Sequence, residues 1–153
     1  MTAMAKVRAF NHFSATVADL DRALGFWQEL LGLELLGRGV VQYEYLDRIV
    51  GLPGTKIEWA ELRIPGGGMI ELFQYLNPAG TPVSGQVNDP GRTHLCLEAD
   101  DLDELVARIR RAGCRTMHPE PVMIPRGDWA GFKSIYVVAP DDVVVELVQR
   151  PSR

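Results

Sequence analysis

Apolar and polar residues alternate in several short stretches of this chain, and a slower helical rhythm runs between them. In "HFSATV", Phe13, Ala15 and Val17 fall on one parity, and His12, Ser14 and Thr16 on the other. That period of two marks a half-buried strand, predicted here over about residues 8–18. Leu20, Leu24, Trp27 and Leu31 then recur at helical spacing. Asp19 stands where a helix N-cap belongs, because its carboxylate can accept from the first free N–H groups, and Gly32 follows as a C-cap. Three more strands are predicted at about 33–38, 56–64 and 68–75. In between, "LDRIVGLPG" has room for a short helical turn ended by Pro53.

The same order then repeats. A strand at about 92–99 alternates Leu95 and Leu97 with His94, Cys96 and Glu98. Asp101 caps a helix bearing Leu102, Leu105 or Val106, Ile109 and Ala112, and Gly113 ends it. Strands at about 114–117, 132–139 and 143–149 complete the unit. In each half a histidine is followed seven residues later by Asp-Leu-Asp, as "NHFSATVADLDRAL" and "THLCLEADDLDELV" show. In each half a late strand carries Glu-x-x-Gln six residues after a proline: Glu71 and Gln74 in "MIELFQY", Glu146 and Gln149 in "VVVELVQR". Four landmarks in one order identify a tandem duplication. The division is module 1 at about 6–76, a Pro- and Gly-rich linker at about 77–91, and module 2 at about 92–150, all within one domain of residues 1–153.

A strand places alternate residues on opposite faces. With helices over the aliphatic faces, His12, Glu71, His94 and Glu146 project from the other side. A carboxylate flanked by Met and Phe, or by two Val, is costly to bury alone. It must protonate, meet a cation or bind a metal. Two imidazoles and two carboxylates form a set suited to Zn, Ni, Co, Mn or Fe(II). An ion there could be chelated by two adjacent substrate oxygens and would stabilise an enolate or enediolate.

Composition narrows the classes. At 153 residues, with 46% hydrophobic and 24% charged residues, the chain matches one soluble globular domain. Its net charge of −4 argues against a nucleic-acid surface, which needs clustered Lys and Arg. No apolar run reaches the about 20 residues of a membrane span. The start "MTAMAKVRAF" lacks the apolar core of a signal peptide, and Cys96 and Cys114 are too few for a disulfide framework, so a cytoplasmic setting is expected. "IPGGGMI" joins two strands and does not open a helix, which speaks against a phosphate loop.

The stretches "NHFSATVADLDRALGFWQELLGLELLGR", "GGGMIELFQY", "THLCLEADDLDELVARIRRAGCR" and "IYVVAPDDVVVELVQ" resemble the vicinal oxygen chelate superfamily, also called the glyoxalase/bleomycin-resistance/dioxygenase superfamily. The resemblance implies an α+β fold of two βαβββ modules curled around a metal-binding cleft. It implies His12, Glu71, His94 and Glu146 as ligands of a divalent ion. A four-ligand His-Glu-His-Glu set is similar to glyoxalase I and close to methylmalonyl-CoA epimerase, both of which move a proton next to a carbonyl. On that likeness Glu146 is the expected base, and Glu71 a ligand or second acid/base. The expected substrate is a small α-oxygenated carbonyl compound, free or as a thiol conjugate, and the expected assembly a homodimer, with the site either within one chain or across two. Phe26-Trp27 replaces a usual Phe-Tyr pair, and "APDD" replaces a usual Asp-Pro-Asp-Gly hairpin. The superfamily also holds antibiotic-binding resistance proteins, whose pocket here would use Trp59, Trp129 and Phe132, and Fe(II) extradiol dioxygenases. Arg126 and Trp129 sit together in a long loop with Asp128 and are the expected substrate contacts, with Phe132 and Trp59 beside them. His118, Glu58, Glu61 and Glu98 read as loop, surface or rim groups, and Cys96 as a small core-like filler.

Overall fold

The computed structural model describes residues 4–152, so Met1–Ala3 and Arg153 of the expected domain lie outside the described residues. The first module runs β1 (His12–Thr16), α1 (Leu20–Leu24), a π-helical continuation (Gly25–Leu30), β2 (Glu34–Val41), α2 (Glu44–Val50), β3 (Lys56–Arg63) and β4 (Met69–Asn77). The second runs β5 (His94–Glu98), α3 (Leu102–Arg111), β6 (Arg115–Thr116), β7 (Val122–Met123), β8 (Lys133–Val138), a short turn at Pro140–Asp142 and β9 (Val144–Gln149). The strands form two mixed sheets, ordered β1-β4-β3-β2 and β5-β9-β8-β6, with β7 added on β8. Each sheet has one parallel pair, β1 with β4 and β5 with β9. A parallel neighbour requires a crossover, and the capped helix supplies part of it. The α+β class and the two βαβββ modules are those expected.

The duplicated sequence signals have duplicated structural jobs. Asp19 accepts from the Arg22 N–H at 2.9 Å, and Asp101 from the Glu104 N–H at 3.0 Å. Gly32 and Gly113 follow the helices in the left-handed region, at φ 73° and 82°. The two glutamines of the Glu-x-x-Gln pattern belong to the same device. Gln74 Oε1 accepts from the Leu20 N–H at 2.9 Å, and Gln149 Oε1 from the Leu102 N–H at 2.8 Å. The last strand of each module thus satisfies a helix N–H that has no partner within the helix, and fixes where the helix starts.

The helix-covered faces of both sheets close on one core. Leu20, Ala23, Phe26 and Trp27 pack in the same cluster as Leu102, Val106 and Ile109, together with Leu62, Leu72, Val137 and Leu147 of the sheets. The helices meet directly, with Arg108 Nη2 donating to the Leu30 carbonyl at 2.8 Å. The "APDD" turn also joins the modules. Asp141 and Asp142 both take left-handed backbone, at φ 61° and 62°, which costs energy for a side-chain-bearing residue. Their carboxylates take hydrogen bonds in return: Asp141 from the Ala18 N–H in module 1, and Asp142 from Gly85 of the linker and from Arg92 and Arg115.

Three details differ from the pattern. The first strand is shorter than expected, beginning at His12. Residues 44–50 form a full helix that stops at Gly51, in the left-handed region, before Pro53 is reached. It buries none of its residues, so no apolar stripe announces it. The Asp47 carboxylate accepts from Gly54 and Thr55 N–H groups at 2.7 Å each and folds the following turn back on the helix. The long 118–131 loop contains β7, whose two residues are too few for a period to register.

Candidate functional site

His12 and Glu71 lie on adjacent parallel strands of the face turned away from the core. Glu71 is in register with Ser14, so the His12 ring leans diagonally by two residues to reach it. His12 Nε2 stands 3.0 Å from Glu71 Oε2. Module 2 repeats the arrangement: Glu146 is in register with Cys96, and His94 Nε2 stands 3.2 Å from Glu146 Oε2. Both imidazoles are open to solvent, at 37% and 41% exposure, and both carboxylates are more enclosed, at 17% and 23%.

Two His-Glu pairs form, but the four expected ligands do not join within one chain. Among the described residues no three His, Cys, Asp or Glu side chains come together so as to hold an ion. The reason lies in the packing: both helix faces turn inward to one core, so both His-Glu faces turn away from it.

The surroundings of the pairs differ. Beside Glu71, β3 places Glu61 directly opposite, and Trp59 opposite Phe73. Trp59 lies over Gly37 and Gly39 of β2. A Cβ on Gly39 would come within 3.1 Å of its ring, so glycine there makes room for the indole. Beside Glu146, β8 places Tyr136 where module 1 has Glu61, and Ser134 where it has Trp59. Ser134 Oγ donates to Glu146 Oε1 at 2.8 Å, and Tyr136 Oη lies 3.3 Å from His94 Nε2. Cys96 is exposed on this face and is not the core-like filler expected. Its side chain points from the polar parity of β5, away from the helix. Desolvation first, and Glu146 second, push its thiol up to about 11. A thiol so placed stays protonated at neutral pH and is a poor nucleophile.

A cleft of about 560 Å³ opens next to Glu146, lined by Cys96, Ile124, Arg126, Gly127, Asp128, Trp129 and Val148. Arg126 and Trp129 thus share a cleft with one of the paired carboxylates. Trp129 is 53% exposed and meets Phe132 edge to face, with centroids 4.8 Å apart. Phe132 lies under the Arg150 guanidinium, which Glu98 holds at 2.7 Å. Trp59 belongs to the other face. Glu58 is bound by Arg38, and exposed His118 makes only a local contact with the Glu120 carbonyl.

The family model for the Glyoxalase/Bleomycin resistance protein/Dioxygenase superfamily matches residues 9–150. The chain belongs to this superfamily. Its relatives include isomerases and a lyase. A 2-epi-5-epi-valiolone epimerase of Actinomyces is 29% identical over 94% of this chain and 80% of its own. The mitochondrial methylmalonyl-CoA epimerase of mouse is 27% identical, over 94% and 74%. An Arabidopsis lactoylglutathione lyase is 30% identical over 94% of this chain, which spans 44% of that longer protein. Among solved structures, a glyoxalase family protein from Bacillus cereus superposes with a TM-score of 0.85 at 27% identity, covering 98% of this chain and all of that one. No helix among the described residues is long and apolar enough to cross a membrane.

The residues of this superfamily member suit a divalent cation, in halves. His12 Nδ1 lies 2.7 Å from Asn11 Oδ1, an acceptor that the tautomer with its hydrogen on Nδ1 would satisfy. In the neutral ring Nε2 then presents a lone pair to a carboxylate 3.0 Å away. Two lone pairs facing at that distance need a cation between them, either a proton or a metal ion. Metal-bound histidines are held in this way by an acceptor on the other ring nitrogen. Each face offers two donors, and a four-donor set requires two faces.

Proposed function

We propose that this protein is a divalent-metal-dependent isomerase or lyase that moves a proton next to a carbonyl group, and that it works as a homodimer. The observation that carries this reading is the duplicated His-Glu pair, at equivalent positions of two modules, on faces that one chain cannot bring together. His12 and Glu71 of one copy and His94 and Glu146 of a second would hold one ion, giving two sites per dimer. Superfamily relatives named as epimerases and as a lactoylglutathione lyase support the reaction class.

When bound, the ion would polarise the substrate carbonyl and so acidify the adjacent carbon. The chain supplies the proton's carrier. Glu146 is the better base of the two glutamates. One of its oxygens is held by Ser134, which keeps the carboxylate aimed, and it lines the cleft where a substrate has room. Glu71 faces Glu61 across the strand pair and pairs with His12. It serves as ligand or as second acid/base. Trp129 and Arg126 line the same cleft and would contact the substrate.

The test combines metal content with proton exchange. Protein purified without chelator is analysed for Zn, Ni, Co, Mn and Fe, and loss of hydrogen to D₂O is followed in α-oxygenated carbonyl compounds. About one ion per chain, together with exchange that Glu146→Gln abolishes, is the expected result. A metal-free protein that exchanges no substrate would overturn the reading.

A further inference from the structure

We propose that the substrate is a polyhydroxylated ring ketone, gripped through neighbouring hydroxyl groups by Arg126 and Asp128 over the face of Trp129. This rests on the proton-transfer reading above and adds the substrate class. The cleft beside Glu146 has three components. Ile124, Val148 and the exposed Trp129 form an apolar wall, suited to the C–H face of a saturated ring. Arg126 and Asp128 line the same cleft and form no ion pair with each other or with any other described residue. One is a fork of donors and the other a fork of acceptors. Vicinal hydroxyls, each both donor and acceptor, match that combination.

The charges speak against a nucleotide thioester, whose phosphates call for several free cations. Near the cleft Arg150 is held by Glu98, while Lys133 pairs with Asp103. On the opposing module face Arg63 pairs with Glu34, and Glu61 and Glu71 add two carboxylates. The cleft's own lining offers one unpaired guanidinium with an aspartate two residues away, a balance that suits a ligand of little net charge.

The chemistry balances without an oxidant. Glu146 takes the proton from the hydroxyl-bearing carbon next to the ketone; the C–H electron pair becomes the carbon–carbon double bond of the enediol form and the carbonyl π pair goes to its oxygen. Return of a proton to the same carbon, from either face, restores the ketone with its configuration kept or inverted.

The experiment incubates the metal-loaded dimer in D₂O with three probes: a pentahydroxycyclohexanone, methylmalonyl-CoA and the methylglyoxal–glutathione adduct. Deuterium should enter the pentahydroxycyclohexanone with a kcat/KM at least tenfold above the other two. Asp128→Asn and Trp129→Ala should each lower that value about ten- to a hundredfold, as the loss of a paired polar contact or of a stacking face implies. Exchange chiefly in the thioester or the glutathione adduct overturns this substrate class and leaves the proton-transfer reading standing. Exchange in the cyclohexanone that neither substitution alters overturns the assignment to this loop. Exchange in none of the three overturns both.

Discussion

The two modules share a scaffold and differ at the working face. In both, an aspartate caps the helix, a glutamine on the last strand accepts from the helix start, and a histidine leans on a glutamate two residues along the neighbouring strand. The residues around those pairs are unlike. Module 1 surrounds Glu71 with Glu61, Trp59 and Phe73. Module 2 surrounds Glu146 with the hydroxyls of Ser134 and Tyr136 and opens a cleft with Arg126 and Trp129 on its rim. Duplication preserved what sets the backbone and left the chemistry free to divide. Under the proposed function, module 1 would serve as a ligand half, and module 2 as a ligand half that also carries the proton.

The largest test of this division is on the two glutamates. Glu146→Gln should lower the exchange rate about 10²- to 10⁴-fold through loss of the base, while Glu71→Gln should act chiefly through reduced metal occupancy and recover in part at high metal concentration. Equal effects that metal cannot relieve would erase the distinction between the halves. The scaffold should respond symmetrically instead. Leu20 and Leu102, both fully buried after their N-caps, should each cost about 2–5 kcal/mol as alanine in chemical denaturation. A smaller and again matched effect is expected for Gln74→Ala and Gln149→Ala, about 1 kcal/mol each for a lost helix-start hydrogen bond. Unequal losses would mean that the repeat is not a repeat in energy. The smallest effect concerns Cys96. In metal-free protein its thiol, pushed up to about 11, should alkylate more slowly at pH 8 than a free cysteine. The thiolate is the reactive form, so the rate should climb as pH rises toward that value, and Glu146→Gln should speed it by removing a neighbouring negative charge. A rate equal to that of free cysteine would show that neither desolvation nor Glu146 acts on the thiol.

Much of this was legible because it is local. Asp19, Asp101, Gly32 and Gly113 announce helix ends through side-chain and backbone chemistry that needs no tertiary partner. The parity of His12 against Phe13, Ala15 and Val17 places the imidazole on the correct face. Glu-x-x-Gln was visible as a repeat, yet the job of its glutamines appeared only when the strand met the helix start. Helix α2 was hidden because it buries nothing. The exposure of Cys96 is not written in the sequence, because a small residue on a polar parity carries no mark of how enclosed its face is. The separation of the two His-Glu pairs was the least legible feature. It depends on both helices meeting in one core, a choice made by Trp27, Ile109 and their neighbours together and written in no single period.

The central claim is that one ion is held by module 1 of one copy and module 2 of another. Mixed dimers test it most directly. A His12→Ala chain and a His94→Ala chain each lack a ligand in every site of their own homodimers. In the mixed dimer, the intact module 1 of one chain faces the intact module 2 of the other. The account predicts that co-refolded mixed dimers regain one ion per dimer and about half of the wild-type exchange activity on a site count. Mixed dimers that form, yet recover neither metal nor activity, would contradict it and place each site within a single chain.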